Sequence, residues 1–234
     1  MFRSTIRVCN HSFLPQLIDS NAIVVDLGAF DGDFAQVIIE QFHCRVFSAE
    51  PVREIFDRIP PDPLLKVLPV AVGGKDQSIT MNVFTSRCAS ILGTISPGEA
   101  AEGRQVEMIT LSEFCRRAEV GHINLLKFDI EGAEIDVFNS ASDRDLQNAT
   151  QITVEFHDFI YPEQAPAVSR IRERMSDIGF WVLPFSLDSS DVLFLNKESG
   201  VSAAEVAYLR SVVRYGKGIV RRTRAIVNRR RLSA

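Results

Sequence analysis

The chain has 234 residues, of which 46% are hydrophobic and 24% charged, and its formal net charge is −4. This composition is typical of a globular protein with one full hydrophobic core and at most a small appendage. No apolar run approaches the roughly 20 residues of a membrane-spanning helix, and no signal peptide is evident at the start. The four cysteines (Cys9, Cys44, Cys88 and Cys115) show no CxxC spacing, so we expect reduced thiols in a cytoplasmic protein.

The first part of the chain alternates between short apolar runs and helix-like segments. In chain order, the pattern predicts a strand at 22–28, a helix at 31–42, a strand at 44–51, a short helix at 52–58 and a strand at 64–73. Strands that alternate with helices pair in parallel through right-handed crossovers. This part of the sequence therefore predicts the beginning of a doubly wound α/β sheet.

The interval from about 74 to 122 breaks this alternation. Two strand-forming pieces, QSITMNVFT and RQVEMITLSEF, flank a loop there, and we interpret the interval as a β-structured insertion. Four more strands are then expected at 123–130, 151–159, 180–186 and 191–196, the last two as an antiparallel pair at the sheet edge. The fold prediction is thus a mostly parallel seven-stranded sheet with an antiparallel edge strand, in a domain of residues 1–200.

The loop after the first strand, VVDLGAFDGDF, predicts a ligand site, because such sheets bind ligands beyond the carboxyl ends of their strands. Gly28 and Gly32 permit a tight turn, whereas Asp31 would repel a phosphate group at the helix start. Asp26 could accept loop amides or attract a cationic ligand. Glu50 ends the second strand, where an acid commonly binds a ribose diol. Together these residues favour an adenosyl ligand without phosphates, which is S-adenosylmethionine.

Acids also cluster where the fourth predicted strand ends, in LLKFDIEGAEIDVF. Asp129 closes that strand, and Glu131 is a second candidate for the site. Gly132 permits close approach at the turn. We expect Glu134 and Asp136 to complement the dipole of the following helix and to be solvated.

The fifth predicted strand contributes Glu155 and His157, which are two residues apart and would point to the same side of an extended strand. With Asp129 they are the candidate catalytic residues. One alternative is that Asp129 or His157 acts as a general base towards a hydroxyl. Another is that the three residues hold Mg²⁺ or Mn²⁺, and a third is that Glu155 and His157 only support the fold. The remaining histidines, which we expect to be structural or exposed, are His11, His43 and His122.

The C-terminal residues differ from the rest of the chain in charge. From residue 205 onward there are nine basic residues and one acidic residue, against 17 basic and 29 acidic residues before it. Residues 201–234 are therefore expected to form a basic, amphipathic helical tail that could contact an anionic membrane surface. Because the acidic body of the chain would oppose nucleic-acid binding, we expect no nucleic-acid partner.

The motifs DLGAFDG, AEP, AVG, LLKFDIEGAE and VEFH, in this order, resemble those of the FkbM-type methyltransferases over about residues 23–196. That family has a class I, Rossmann-like fold and uses S-adenosylmethionine, mostly to methylate hydroxyls of sugars and polyketide-derived compounds. The resemblance implies that Gly28, Ala29 and Asp31 line the methionine end of the cofactor, and that Ala71 and Val72 lie near its adenine.

The loop and the resemblance together give the following cofactor-binding set: Asp26, Gly28, Ala29, Asp31, Gly32, Glu50, Pro51, Ala71, Val72 and Asp129. The expected function is O-methylation of a hydroxyl on a sugar, glycan or secondary metabolite. A nicotinamide-dependent oxidoreductase and a non-catalytic cofactor-binding protein remain the alternatives. The missing GxGxxG motif argues against the oxidoreductase.

Overall fold

The structure is a computed structural model that describes residues 2–84, 89–90, 101–130, 132–186 and 190–211. Its strands are β1 (Ile6–Val8), β2 (His11–Phe13), β3 (Ile23–Leu27), β4 (Arg45–Ala49), β5 (Leu65–Leu68), β6 (Ala71–Val72), β7 (Gln77–Phe84), β8 (Ala89–Ser90), β9 (Ala101–Ile109), β10 (Leu125–Phe128), β11 (Gln151–Glu155), β12 (Phe180–Pro184) and β13 (Asp191–Asn196). Its helices are α1 (Asp33–Phe42), α2 (Arg53–Phe56), α3 (Leu111–Ala118), α4 (Glu134–Ser140), α5 (Asp143–Gln147) and α6 (Ala165–Asp177). Residues 203–211 are also helical.

The central layer is a seven-stranded sheet in the order β12-β13-β11-β10-β3-β4-β5. Neighbouring strands from β11 to β5 pair in parallel, whereas β13 runs antiparallel to both β11 and β12. The strand order reverses between β3 and β10, which places the switch point of the doubly wound sheet there. The predicted fold class, a mostly parallel seven-stranded sheet with an antiparallel pair at its edge, is confirmed.

The insertion forms a second, four-stranded sheet in the order β6-β9-β7-β8. The long pair β7 and β9 is antiparallel over eight residues, from Gln77 opposite Met108 to Phe84 opposite Ala101. The predicted strand at 64–73 divides between the two sheets at Pro69. Because proline lacks an N–H group, it cannot continue a ladder of hydrogen bonds, so β5 stays in the central sheet and β6 joins the second one.

Side chains alternate between two cores, one on each face of the central sheet. One face packs against α3, α4 and α6. A group of aromatic side chains fills its centre with ring centroids 5.1 to 6.4 Å apart: Phe128, Phe138, Phe156 and Phe194. The other face is covered by α1, the N-terminal hairpin β1–β2 and the first residues of the C-terminal segment. It is this second face that carries the polar residues of the site.

The N-terminal hairpin turns through Cys9 and Asn10, whose φ values of 43° and 67° are those of a two-residue type I′ turn. Its second strand, β2, packs on β11 and β13. Cys9, Cys44 and Cys115 are free thiols, whereas Cys88 lies outside the described residues.

The C-terminal helix, residues 203–211, packs on the same core through Val206 and Leu209. Arg3 and Glu205 form an ion pair of 2.9 Å, which ties this helix to the N-terminus. Most of the predicted basic tail, residues 212–234, lies outside the described residues, and the domain division at residue 200 stays a prediction. None of the described helices is both long enough and apolar enough to cross a membrane.

Candidate functional site

A row of buried polar side chains crosses the central sheet near the carboxyl ends of its parallel strands. Ser48, Asp26, Lys127 and Thr153 are register partners on β4, β3, β10 and β11, and all four side chains are buried. Polar groups in a core need partners, because leaving them unpaired costs free energy. The row therefore marks a buried polar layer near the carboxyl ends of the strands.

Lys127 links one member of this row, Asp26, to the glycine loop and to Asp129. Its ammonium donates hydrogen bonds to Asp26 Oδ1 at 2.8 Å and to the Gly28 carbonyl at 2.9 Å, and it lies 3.7 Å from Asp129 Oδ2. Burial disfavours the charged ammonium, but Asp26 and Asp129 outweigh it and raise the pKa of Lys127. Asp26, a predicted cofactor contact, is thus held by Lys127 inside the sheet.

The glycine loop folds tightly onto the end of β10. Gly28 has a φ of +86°, and a Cβ atom at this position would lie only 1.8 Å from the Asp129 carbonyl oxygen. The amides of Gly28 and Ala29 both donate to the Ala49 carbonyl, at 3.2 and 2.9 Å. Gly32 follows with a φ of +85° at the N-cap of α1. No residue with a side chain fits at Gly28 without moving the site.

Glu50 is the acid at the end of β4, and it is buried within this loop. One carboxylate oxygen accepts the Phe30 amide at 3.0 Å, and the other accepts the Val52 amide at 2.8 Å. Burial raises the pKa of Glu50 to about 7, although these two amides oppose the shift. Its ionised form would be stabilised by further hydrogen-bond donors.

The other predicted cofactor contacts fall in several environments. Asp31 pairs with Arg58 at 3.3 Å, so its charge is already partly neutralised. Pro51 is half-buried beside Glu50. Ala71 and Val72 form β6 in the second sheet, where both are buried. Whether each of them contacts the cofactor stays a prediction.

These residues fit S-adenosylmethionine better than a nucleotide with phosphates. A ribose diol would bring two hydroxyl donors to Glu50, whose carboxylate oxygens each retain a lone pair after accepting one amide. The acids Glu50 and Asp31 would repel phosphates at the same place.

Asp129 lies just beyond β10, and the structure brings His11 to it. His11 Nε2 lies 3.4 Å from Asp129 Oδ2, and the other ring nitrogen lies 3.3 Å from Thr153 Oγ1. Burial opposes the ionisation of Asp129, but Lys127 and the hydrogen bond from His11 outweigh it and hold the pKa of Asp129 well below its usual range. Asp129 is therefore a carboxylate at neutral pH and a weak base.

His11, which was expected to be structural or exposed, is buried and lies beside Asp129. It is separated from Asp129 by 118 positions in sequence, and the N-terminal hairpin carries it across. His43 and His122 are exposed, as expected. Because His11 is far from Asp129 in sequence, no local motif predicts their contact. The strand β11 does carry an indication, since its polar residues Gln151, Thr153 and Glu155 share one face and would need a polar partner there.

The prediction that Glu155 and His157 lie on one strand is wrong. The strand β11 ends at Glu155, so its side-chain alternation does not extend to His157, whose ring lies 4.0 Å from Glu134 Oε2. Glu155 instead groups with His11 and Asp129, with one ligand atom from each lying within 4.8 Å of the others. Burial, and then the charge of Asp129, raises the pKa of Glu155.

The predicted metal ligands were Asp129, Glu155 and His157. Among the described residues, the group that lies close enough together contains His11 in place of His157. The group with His11 offers a nitrogen and carboxylate oxygens, which divalent metals accept. However, the Lys127 ammonium already lies 3.7 Å from Asp129 Oδ2, and a second cation beside it would be repelled. A metal therefore does not fit this arrangement well.

Glu134 is buried, so the expectation of a solvated first-turn acid is wrong for it. Its carboxylate accepts the amides of Ile130 at 3.0 Å and Gly132 at 2.9 Å, and burial raises its pKa to about 7. It braces the loop that follows Asp129. Asp136 is exposed, as expected, and Glu131 lies outside the described residues.

Comparisons with known proteins give the following similarities. No curated protein matches the chain. Among solved structures, an rRNA methylase from Streptococcus thermophilus is 9% identical with a TM-score of 0.42, covering 76% of this chain and 87% of its own. Aeropyrum pernix fibrillarin with natively bound S-adenosyl-L-methionine is 10% identical with a TM-score of 0.43, covering 82% and 81%. Methanococcus jannaschii fibrillarin, a pre-rRNA processing protein, is 11% identical with a TM-score of 0.41, covering 82% and 80%.

The expectation that nucleic acid is no partner is wrong as an exclusion. Two of the solved structures to which the chain is similar are described as an rRNA methylase and as a pre-rRNA processing protein. At identities of 9 to 11% the likeness extends to the fold alone.

The sequence also matches the model of a protein family. The match spans residues 26–182, which is more than half of the 234 residues. It includes the glycine loop, Glu50, Asp129 and the end of β11, and it begins after the N-terminal hairpin. The chain belongs to the methyltransferase FkbM domain family, whose members are S-adenosylmethionine-dependent methyltransferases.

Proposed function

We propose that this protein transfers a methyl group from S-adenosylmethionine to a hydroxyl oxygen of a sugar, glycan or secondary metabolite. The observation that carries the proposal is the position of the Asp129 carboxylate just beyond the end of β10. It has Glu155 of the neighbouring strand beside it and the glycine loop packed against its own carbonyl group. A cofactor held by that loop and an acceptor beside Glu155 would therefore meet at Asp129.

The chain's own groups account for cofactor binding. Glu50 would accept the two ribose hydroxyls, and the backbone of Gly28 and Ala29 would line the methionine end. When bound, S-adenosylmethionine supplies a methyl group on a sulfonium whose leaving group is a neutral thioether. The protein therefore needs no acid to expel that leaving group, and its residues are available for orienting the acceptor.

Orientation and proton handling fall to different side chains. Asp129 stays ionised and would accept a hydrogen bond from the acceptor hydroxyl, which aligns the attacking oxygen. Such alignment can lower a barrier by about 7–11 kcal/mol. Glu155, whose pKa is raised by burial, is a better base than Asp129. His157, with its side chain mostly buried beside Glu134, is the other candidate base.

The experiment is a transfer assay with methyl-labelled S-adenosylmethionine against three acceptor pools: small hydroxyl compounds, glycans, and total RNA. The proposal predicts label in a small-molecule or glycan fraction, in an alkali-stable ether linkage. Label in RNA alone would contradict the proposed acceptor class. If no pool is labelled although S-adenosylhomocysteine binds, the non-catalytic alternative is favoured. An Asp129→Asn protein serves as the control for site-dependent transfer.

A further inference from the structure

The N-terminal hairpin lies outside the region that defines the family, since the family match begins at residue 26. It nevertheless reaches the centre of the site. His11, in β2, is fully buried and lies against Thr153 of β11, Asp129 just beyond β10 and Phe34 of α1. A fully buried, polar side chain from a segment outside the family match calls for a physical explanation.

The hairpin is fixed in place by buried hydrogen bonds from the residues that follow His11. Ser12 donates to Asp191 through its amide at 3.1 Å and through its hydroxyl at 2.6 Å. Leu14 and Gln151 exchange two bonds, at 2.9 and 3.1 Å. Both anchors lie in the central sheet, on β13 and β11. The position of the imidazole is therefore set by the sheet itself.

His11 acts on one particular oxygen of Asp129. Its Nε2 lies 3.4 Å from Oδ2, the oxygen that Lys127 also approaches at 3.7 Å. Thr153 Oγ1 lies 3.3 Å from the other ring nitrogen, and Phe34 packs edge-on against the ring with centroids 6.1 Å apart. Because His11 and Lys127 both approach Oδ2 and the Asp129 side chain is 28% exposed, Oδ1 is the oxygen left for an acceptor.

We propose that His11 is a positioning residue of the methyl-transfer site: it holds Asp129 so that Oδ1 faces the acceptor, and the N-terminal hairpin thereby supplies one residue, His11, to this site. The inference rests on the proposed function. Because its ring is fully buried, His11 acts through Asp129 and does not itself meet the acceptor. Lys127 stabilises the negative charge of Asp129, and His11 fixes the orientation of its carboxylate group.

The kinetic test compares His11→Ala and His11→Gln with Phe13→Leu, a matched control in the same strand. Phe13 is fully buried beside Phe34, so its truncation loosens hairpin packing without removing a contact to Asp129. We expect His11→Ala to lower kcat about 10–100-fold, the range for a lost orienting contact, with S-adenosylhomocysteine affinity within about twofold. Glutamine retains an amide donor and should restore part of kcat, while Phe13→Leu should leave kcat unchanged.

Equal losses of kcat in His11→Ala, His11→Gln and Phe13→Leu would overturn the proposal and leave only a packing role. A parallel loss of cofactor affinity would do the same.

A second measurement needs no acceptor and separates this inference from the proposed function. The imidazole NMR signals of His11 should move in Asp129→Asn, even if no hydroxyl is ever methylated. Unmoved signals would contradict the contact itself. Selective broadening of those signals by micromolar Mn²⁺ would replace the positioning role with a metal site.

Discussion

The ammonium of Lys127 donates a 2.8 Å hydrogen bond to Asp26 where both side chains are almost fully buried. The same ammonium lies 3.7 Å from Asp129, so one cation serves two carboxylates. Asp26 and Lys127 are register partners on adjacent central strands. The pair therefore links the strand before the glycine loop to the strand that carries the proposed chemistry.

Replacing Lys127 by methionine should destabilise the protein severely. The substitution leaves two carboxylates without their cation, and breaking a buried pair by removing one partner typically costs about 3–5 kcal/mol. Urea denaturation at pH 7 measures the loss. The double variant Asp26→Asn with Lys127→Met is the control, since it removes one stranded charge and should recover part of the loss. A single variant as stable as the wild type would show that the pair contributes no stability.

Gly28→Ala should disrupt the site by steric overlap, because the added Cβ atom would lie 1.8 Å from the Asp129 carbonyl oxygen. Gly179→Ala is the matched control. Gly179 also has a positive φ, of +101°, but its added Cβ would meet no atom within 4 Å. We expect about 1 kcal/mol of strain at Gly179 and a several-fold larger loss at Gly28, measured by thermal denaturation. Equal losses would mean that backbone strain, and not the contact with β10, requires glycine at position 28.

Cofactor affinity should depend on pH through Glu50, whose pKa is about 7. Below that pH the carboxyl group is protonated and loses an acceptor for ribose hydroxyls, so affinity falls as the pH falls. The Glu50 carboxyl group would be about nine-tenths protonated at pH 6 and about nine-tenths ionised at pH 8. If only the ionised form binds the cofactor, affinity is about tenfold lower at pH 6 than at pH 8. Calorimetry with S-adenosylhomocysteine measures this difference.

Glu50→Gln provides the control for that titration. The amide does not ionise, so the dependence between pH 6 and pH 8 should disappear. Affinity at pH 8 should be weaker by about 1–3 kcal/mol, the loss expected for a hydrogen bond to a charged group. A pH dependence that persists in the variant would assign the titration to another residue.

The sheet could be predicted from the sequence because its signals are local. Apolar runs, helical periodicity and the turn glycines each lie within one strand–helix unit. The division of the predicted strand at 64–73 was not foreseen, since Pro69 interrupts one ladder while the chain continues into another sheet. A proline indicates that a ladder stops, but not which partner the following residues find.

The site was predictable only where its members follow strands of the central sheet. Asp129, Glu50 and Gly28 come directly after strands or end them, and parallel strands bring such positions to one edge. His11 belongs to a hairpin whose place is set by distant contacts with Asp191 and Gln151, and these leave no local pattern. The burial of Glu134 was also missed, because an acid in a first helical turn has the same sequence pattern whether it is solvated or braces a loop.

The central claim is that Asp129 orients the acceptor for methyl transfer. Measurements of transfer and of cofactor affinity on Asp129→Asn and His157→Ala test it. The expected result is a large loss of methyl transfer from labelled S-adenosylmethionine, about 100-fold for a misdirected acceptor. Calorimetric affinity for S-adenosylhomocysteine should change much less, since Glu50 and the glycine loop are intact. Full transfer activity in both variants would contradict the account, and so would a loss of transfer that only mirrors lost cofactor binding.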